Sequence, residues 1–455
     1  MLGHNRHATS ERLFDRAKAV MPGGTTRFTV QRDPTPIYMA AGEGAWLTDV
    51  DGNRYLDLNN NYTTLIHGHA FSPVVEAVER QLHSGTCFAN PTEHEIGLSE
   101  ILCSRAPAAE RVRYVNTGTE AVMFALKAAR AVTGRSMIAK LEGAYHGAYD
   151  WAEVSENSNP DNWGGREPAS VPFAVGTPAS VMQEVVVVPF NDVGTTVDLL
   201  ERHGAELACL LIDLVPSRAG LIPLEPDYVE AIRDITKRHG ILLISDEVLN
   251  FRQGYEGAAA RFGVKPDLIT LGKIIGGGLP IGAIAGSSEL MAVFDNSNSQ
   301  APLPQGGTFS ANPLSMVAGT ASMEALDRAA FERLEMLGKR ARAGLSEAIA
   351  ERGLPAVVTG LGSLLRVHFK ARSPRTYREF WPTPAEAQLL RQMARSMFAR
   401  GVIMPPLSCS SLSTAMTEAD IDFFISAFRA AFDEDEELRH LGQQAVEGRE
   451  GVRLS

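Results

Sequence analysis

The sequence predicts an α/β protein: a large, mostly parallel sheet with helices on both faces, followed by a smaller α+β unit. Three observations predict it. Short, nearly continuous apolar runs recur through the middle of the chain, as strands buried on both faces require. Helical spacings fit between several of those runs, the alternation that builds parallel sheets. From about residue 319 the pattern changes to long helical stretches flanking short strands.

In chain order, residues 11–20 read as a short helix stopped by the turn Met21-Pro22-Gly23-Gly24. Residues 45–58 read as a β-hairpin around Asp51-Gly52, a dipeptide suited to tight turns. Buried strands are predicted at 112–115, 137–141, 185–188, 208–215, 241–245 and 268–271, with helices over 119–132 and 226–239. Residues 150–182, rich in Gly, Pro, Ser and Asn, read as a long loop. Helices are expected at 319–352, 385–400 and 418–433 around short strands near 364–369, and the polar tail after about 440 should fray.

Composition narrows the function. The 455 residues are 44% apolar and 21% charged, as in a globular protein of two or three domains. A net charge of -11 argues against nucleic acid, which needs clustered Lys and Arg, and favours a small or zwitterionic substrate. The four cysteines, Cys87, Cys103, Cys209 and Cys409, show neither paired nor metal-ligand spacing, so a reducing, cytoplasmic setting and no metal are expected. Residues 1–20 lack the apolar stretch of a secretory leader, and no apolar run approaches the roughly 20 residues that span a bilayer, so no membrane role is expected.

In open α/β sheets, ligands bind beyond the carboxyl ends of the strands, so the residues that follow each strand carry the chemistry. Thr117 and Glu120 match a capping box, and a helix opening with Gly118 and Thr119 offers N–H groups and a hydroxyl to a phosphate. A plain capped helix would look the same. Lys273 follows a buried strand and precedes Gly276-Gly277-Gly278, which suits a desolvated amine that attacks a carbonyl, although most lysines cap surface loops. Asp246 ends a strand and needs a partner to stay ionised: a protonated pyridine nitrogen, or an arginine such as Arg252. Tyr145 and His146 could set an aromatic face against a flat ring or be simply packed. Arg27 could bind a carboxylate bidentately or lie solvated on the surface.

Taken together these residues resemble the class III aminotransferases of the pyridoxal-phosphate fold-type I superfamily, nearest to glutamate-1-semialdehyde aminomutase and the β-amino-acid aminotransferases. The resemblance runs from about Met21 to Asp422. It rests on MPGG at 21–24, GEGAWLTDVDGNRYLDL at 42–58, NTGTEAVMFALKAAR at 116–130 and EGAYHG at 142–147. ISDEV at 244–248, PDLITLGKIIGGGLPIGA at 266–283 and GTFSANPLSMVAG at 307–319 complete it, with Asp246 placed 27 residues before Lys273.

The resemblance implies that Lys273 carries pyridoxal 5'-phosphate as a Schiff base and shuttles the proton between substrate Cα and the cofactor. Asp246 would pair with the pyridine nitrogen, while Tyr145 and Val248 cover the two ring faces. Gly118 and Thr119 would bind the phosphate. Thr308 would reach the cofactor of a neighbouring subunit, making a homodimer the functional unit. Asn191 is expected near the phenolic oxygen, His146 and Asp213 in the cofactor's surroundings, and Tyr62 in the substrate pocket. Arg27 matches the arginine that holds the substrate carboxylate. The implied organisation is a segment 1–62 joining a small domain, a large domain 63–318, and a small domain 319–455.

Departures from the family pattern narrow the activity. The usual Val-Glu-Pro appears as Ile212-Asp213-Leu214, one methylene shorter at the acid. Residues 401–413 hold neither the glutamate typical of aminomutases nor an arginine that would make a second carboxylate clamp. The expectation is therefore an aminotransferase moving nitrogen from a carboxylate-bearing donor, a β-amino acid, to a keto acid. The alternatives are an intramolecular aminomutase and a catalytically silent protein of the same fold.

Overall fold

The computed structural model describes residues 6–27, 29–30, 35–297, 300–405 and 409–453, the last nine of these as helical backbone only. Its centre is a seven-stranded sheet. Three short strands precede it: β1 Met39–Glu43, β2 Trp46–Asp49 and β3 Arg54–Asp57. The large sheet comprises β4 Arg111–Val115, β5 Met137–Leu141, β6 Val185–Val188 and β7 Leu207–Ile212. β8 Leu242–Asp246, β9 Leu268–Gly272 and β10 Gly282–Gly286 complete it. Its order is β4-β10-β9-β8-β7-β5-β6, and β10 alone in this sheet runs against its neighbours. The six predicted strands are all present. Predicted 208–215 ends earlier, at Ile212, leaving Asp213 just beyond the strand.

Both faces of the sheet are covered, as the apolar runs require. Along β7, Leu210 and Ile212 pack with Tyr228 and Ile232 of helix Pro226–His239. Cys209 and Leu211 point the other way, among Val122, Ala125 and Leu126 of helix Gly118–Thr133. The unpredicted β10 reads Gly-Ala-Ile-Ala-Gly because it is squeezed between neighbours. A Cβ on Gly282 would lie 2.1 Å from the carbonyl oxygen of Thr117. Only glycine fits that contact.

β2 and β3 form the expected hairpin, with Trp46 opposite Leu56 and Thr48 opposite Arg54. β3 then pairs in parallel with β13 Val402–Ile403 from the far end of the chain. A second small sheet contains β11 Val357–Thr359, β12 Leu364–His368 and β14 Ser410–Ser411. Leu56 and Leu58 share one buried cluster with Leu345, Met393, Phe424 and Phe428. Segments at least 287 residues apart in sequence thus bury each other's apolar faces.

Several predicted helices have shifted bounds. The first spans Ala8–Lys18, earlier than expected, because Asp51 caps it from the hairpin, accepting Thr9 N at 2.8 Å and Ser10 N at 3.1 Å. Predicted helix 319–352 is two helices, Pro313–Ala325 and Arg328–Glu351, the second capped by Asp327 on Ala330 N at 2.8 Å. Helices Pro384–Ala399 and Glu418–Glu434 open with capping boxes at Thr383/Glu386 and Thr417/Asp420. The tail expected to fray is helix Glu436–Arg453, held by buried Leu438. The predicted loop 150–182 contains one helical turn, Asp150–Glu153, and the start of another, Ala179–Gln183. Among the described residues no helix is long and apolar enough to cross a membrane.

Candidate active site

The site is built where the strands of the large sheet end. Asp246 closes β8, buried, and three donors face its carboxylate. His146 Nδ1 lies 2.7 Å from Oδ2, while Val248 N and Thr270 Oγ1 donate to Oδ1 at 3.0 and 2.9 Å. Burial is the largest single influence and pushes this carboxyl up, yet the three hydrogen bonds and the His146 interaction outweigh it, so the net shift is downward. Asp246 is an ionised acid with acceptor capacity in hand. Arg252, the alternative partner, instead donates to Ser363 Oγ at 3.1 Å, Thr63 O at 3.0 Å and Leu412 O.

His146 thus supports Asp246 through its ring edge. It is buried, and burial lowers its pKa against the pull of Asp246. A neutral imidazole donating from Nδ1 follows from that shift together with the adjacent carboxylate. Asp213 lies just past β7 and accepts from Val215 N at 2.9 Å and from the Asn250 amide. Burial, reinforced by the neighbouring charge of Asp246, pushes its carboxyl up to about 8. Two acids thus stand side by side, one ionised and one protonated.

Lys273 follows β9 directly and adopts φ 50°, a left-handed conformation that bulky residues keep only under constraint. The residue keeps some exposed surface, but its amine is enclosed. Burial lowers its pKa and the charge of Arg252 acts in the same direction, against the pull of Asp246, Cys409 and Asp213. An amine so placed is poised to act as a nucleophile.

Above these groups, helix Gly118–Thr133 begins. Thr117 caps it, its hydroxyl accepting Glu120 N at 3.1 Å. Half of the predicted box differs: the Glu120 carboxylate takes Asn116 N at 2.7 Å, one residue upstream. The first helical N–H groups, at Gly118 and Thr119, have no acceptor within the helix and remain available to an anion. Val248 packs so closely that a Cβ on Gly118 would lie 2.7 Å from its Cγ1, and one on Gly272 would lie 3.2 Å away. Val248 therefore joins the helix start to the end of β9.

Tyr145 is 42% exposed, with the Arg218 guanidinium 5.3 Å from its ring centre. Sequence reasoning missed Arg218, which ion-pairs with buried Glu156. It also missed Lys140, fully buried within β5, whose amine donates to Ala144 O at 3.1 Å and Val154 O at 2.7 Å. Burial lowers that amine to about 8, with Glu156 and Glu142 pulling back. Lysine within MIAKL was the available signal, since an apolar strand tolerates a charge only for a purpose.

Asn191 is held by backbone groups. Its amide donates to Pro223 O at 3.2 Å and Arg375 O at 2.9 Å and accepts Glu225 N at 2.9 Å, so it clamps backbone. Arg27 is exposed and donates to Asn61 Oδ1 at 2.7 Å. Tyr62 donates to Thr29 O at 2.7 Å. Thr308 lies exposed on a separate cleft of about 600 Å³ with Phe88, Arg113, Gln305 and Asn312. Within one chain it stands apart from the Lys273 cluster. In the segment 401–413, residues 406–408 lie outside the described residues.

An ionised acid beside an enclosed lysine, both below a helix N-terminus, are the groups that a pyridine ring, an aldehyde and a phosphate require. Comparison with known proteins agrees. A family described as "Aminotransferase class-III" matches residues 28–426. Over 421 residues the chain is 39% identical to a glutamate-1-semialdehyde 2,1-aminomutase of Methanothermobacter thermautotrophicus, covering 92% of this chain and 97% of that one. An ω-transaminase structure from Sphaerobacter thermophilus is 47% identical with a TM-score of 0.91, covering 93% of this chain and 97% of that one. A β-phenylalanine aminotransferase structure from Variovorax paradoxus is 32% identical with a TM-score of 0.82, covering 94% of each.

The chain belongs to the class III aminotransferase family. It is a pyridoxal-phosphate-dependent enzyme of fold type I.

Proposed function

We propose that the enzyme is a ping-pong aminotransferase whose donor is a β-amino acid and whose acceptor is a keto acid. The observation that carries this reading is Arg27, exposed and held by the neutral amide of Asn61, a cation presented to a carboxylate. The name of the Variovorax relative supports a β-amino acid, and that of the Sphaerobacter relative supports transamination.

Pyridoxal phosphate, when bound, supplies an electron sink that accepts nitrogen from one substrate and yields it to the next. Lys273 would hold it covalently, and its amine, once free, would take the proton from the amino-bearing carbon. Asp246 would keep the pyridine nitrogen protonated, with His146, Val248 N and Thr270 keeping Asp246 ionised. Tyr145 and Val248 would pack against the ring, Gly118 and Thr119 would hold the phosphate, and Tyr62 would wall the substrate pocket. Asp213, protonated, would add no second negative charge beside Asp246. Thr308 serves the partner subunit's site in a homodimer, a role supported by the exposed Phe88 and Phe309 beside it. A cytoplasmic location belongs to the same proposal, supported by four cysteines at spacings that suit a reducing compartment.

The second reading, an intramolecular aminomutase, draws on the names of the curated relatives. Incubation with glutamate-1-semialdehyde alone, followed by analysis for 5-aminolevulinate, separates the two. The expected result is no product, alongside turnover of 3-amino-3-phenylpropanoate with pyruvate or 2-oxoglutarate. Efficient 5-aminolevulinate formation would overturn the aminotransferase reading.

A further inference from the structure

Asn60, Asn61, Tyr62 and Thr63 form a left-handed turn, with φ of 48, 49, 53 and 72°. L-residues other than glycine rarely adopt this conformation, asparagine most readily, and four in succession persist only where the surroundings impose it. Those surroundings are visible. Asp57 Oδ1 accepts Asn59 N at 2.8 Å and Asn60 N at 3.0 Å, and the Asn59 side chain accepts Tyr62 N. The buried Asn60 amide donates to Ser411 O at 2.8 Å, and buried Arg252 donates to Thr63 O at 3.0 Å. The side chains of Asn61 and Tyr62 instead reach the N-terminal segment. Asn61 Oδ1 accepts from Arg27 Nη1 at 2.7 Å, and the Tyr62 hydroxyl donates to Thr29 O at 2.7 Å.

We infer that Asn61 is a positioning residue for substrate selection: its amide oxygen sets the Arg27 guanidinium in the orientation that receives the substrate's carboxylate. The inference rests on the reading of Arg27 given above and extends it to the group that orients the cation. A neutral acceptor fixes a guanidinium without cancelling its charge, and among the described residues it engages one N–H, leaving the rest of the fork for a bidentate ligand. Several arginines of the chain are matched differently, although Arg113 likewise donates to a neutral amide, Gln305 Oε1, at 2.6 Å. Arg218 pairs with Glu156, Arg375 with Glu225 and Arg378 with Glu142, each neutralised by a carboxylate. The left-handed turn explains how an exposed loop residue can aim a side chain: its neighbours Asn60 and Thr63 are tethered on the inner side, Asn60 N to Asp57, the Asn60 amide to Ser411 O and Thr63 O to Arg252.

The conformation also permits a clean test. At φ 49° glycine is relaxed, so Asn61→Gly removes the amide without straining the backbone. Wild type, Asn61→Gly, Asn61→Asp and Arg27→Ala are compared as holoenzymes in single-turnover reactions with 3-amino-3-phenylpropanoate and with 1-phenylethylamine, which lacks the carboxylate. Asn61→Gly should weaken binding of the acid about tenfold, the worth of one charge-assisted hydrogen bond, with its limiting rate and the amine reaction within about twofold of wild type. Its thermal midpoint should not fall. Asn61→Asp should weaken acid binding further, because a carboxylate then competes for the guanidinium. If Arg27→Ala loses acid selectivity while Asn61→Gly keeps it, Asn61 orients nothing and the inference fails alone. If Arg27→Ala also keeps it, the reading of Arg27 fails first. An equal loss on acid and amine would make Asn61 structural and overturn the inference as well.

Discussion

Asp213→Asn offers a quantitative test of the paired acids. Asp213 is buried, and its carboxyl is pushed from 3.8 up to about 8 by burial first and by the charge of Asp246 second. Through that window the native state holds a proton that the unfolded chain has released. Unfolding therefore gains protons to release, and stability falls as pH rises. A shift of this size is worth about 6 kcal/mol across the whole window, of which about 4 kcal/mol falls between pH 5 and pH 8. Asparagine keeps the shape and can accept the same bonds from Val215 N and Asn250 while carrying no titrating proton. Urea unfolding of cofactor-free wild type and variant at pH 5, 6.5 and 8 measures the difference. Glu247, raised to about 7, and Lys140, lowered to about 8, titrate in the same window but are common to both proteins and cancel. The variant should gain on wild type by several kcal/mol between pH 5 and pH 8. Parallel stability curves would refute the assignment of a protonated Asp213.

Two further outcomes are expected. Borohydride reduction of the holoenzyme followed by peptide mapping should place the adduct on Lys273, and Lys273→Ala should abolish both the adduct and turnover while leaving cofactor affinity measurable by absorbance. Phe309→Glu puts a charge on the exposed aromatic beside Thr308, so sedimentation should show a shift from dimer to monomer with loss of activity; an active monomer would remove Thr308 from a shared site.

Much of the fold was legible because burial on both faces leaves few residue choices. Val185–Val188 and Leu207–Ile212 could hardly be anything but strands covered on both faces. β10 was illegible for the opposite reason: its glycines answer to Thr117 O, at the helix cap beyond β4, and to Leu268 of β9, and locally they imitate a loop. The start of the first helix at Ala8 was hidden because its capping acid, Asp51, lies in the hairpin some 40 residues on. Helix 436–453 looked like a fraying tail because its apolar residues are few: among those described, buried Leu438 and partly buried Leu441 anchor it to the buried cluster of Phe424 and Phe428.

The site divides along the same physical line. Asp246 and Lys273 were legible because each interrupts an apolar strand at its carboxyl end, where a charge must have a purpose. Their supports were not. Thr270 hides inside β9 as an ordinary strand residue, and His146 resembles its aromatic neighbour until its buried ring is seen to meet Asp246. Arg252 is the furthest from sequence inference and ties the parts together. Burial lowers its guanidinium to about 10, so it stays charged at neutral pH, and its described bonds go to backbone carbonyls and a hydroxyl. Those partners lie on the left-handed turn at Thr63 and on the C-terminal residues Ser363 and Leu412, while its charge acts on Lys273. One side chain thus holds the turn that carries Asn61 and helps keep the Lys273 amine's pKa down. A residue with that many long-range obligations leaves no local signature, since each partner is more than 100 positions away.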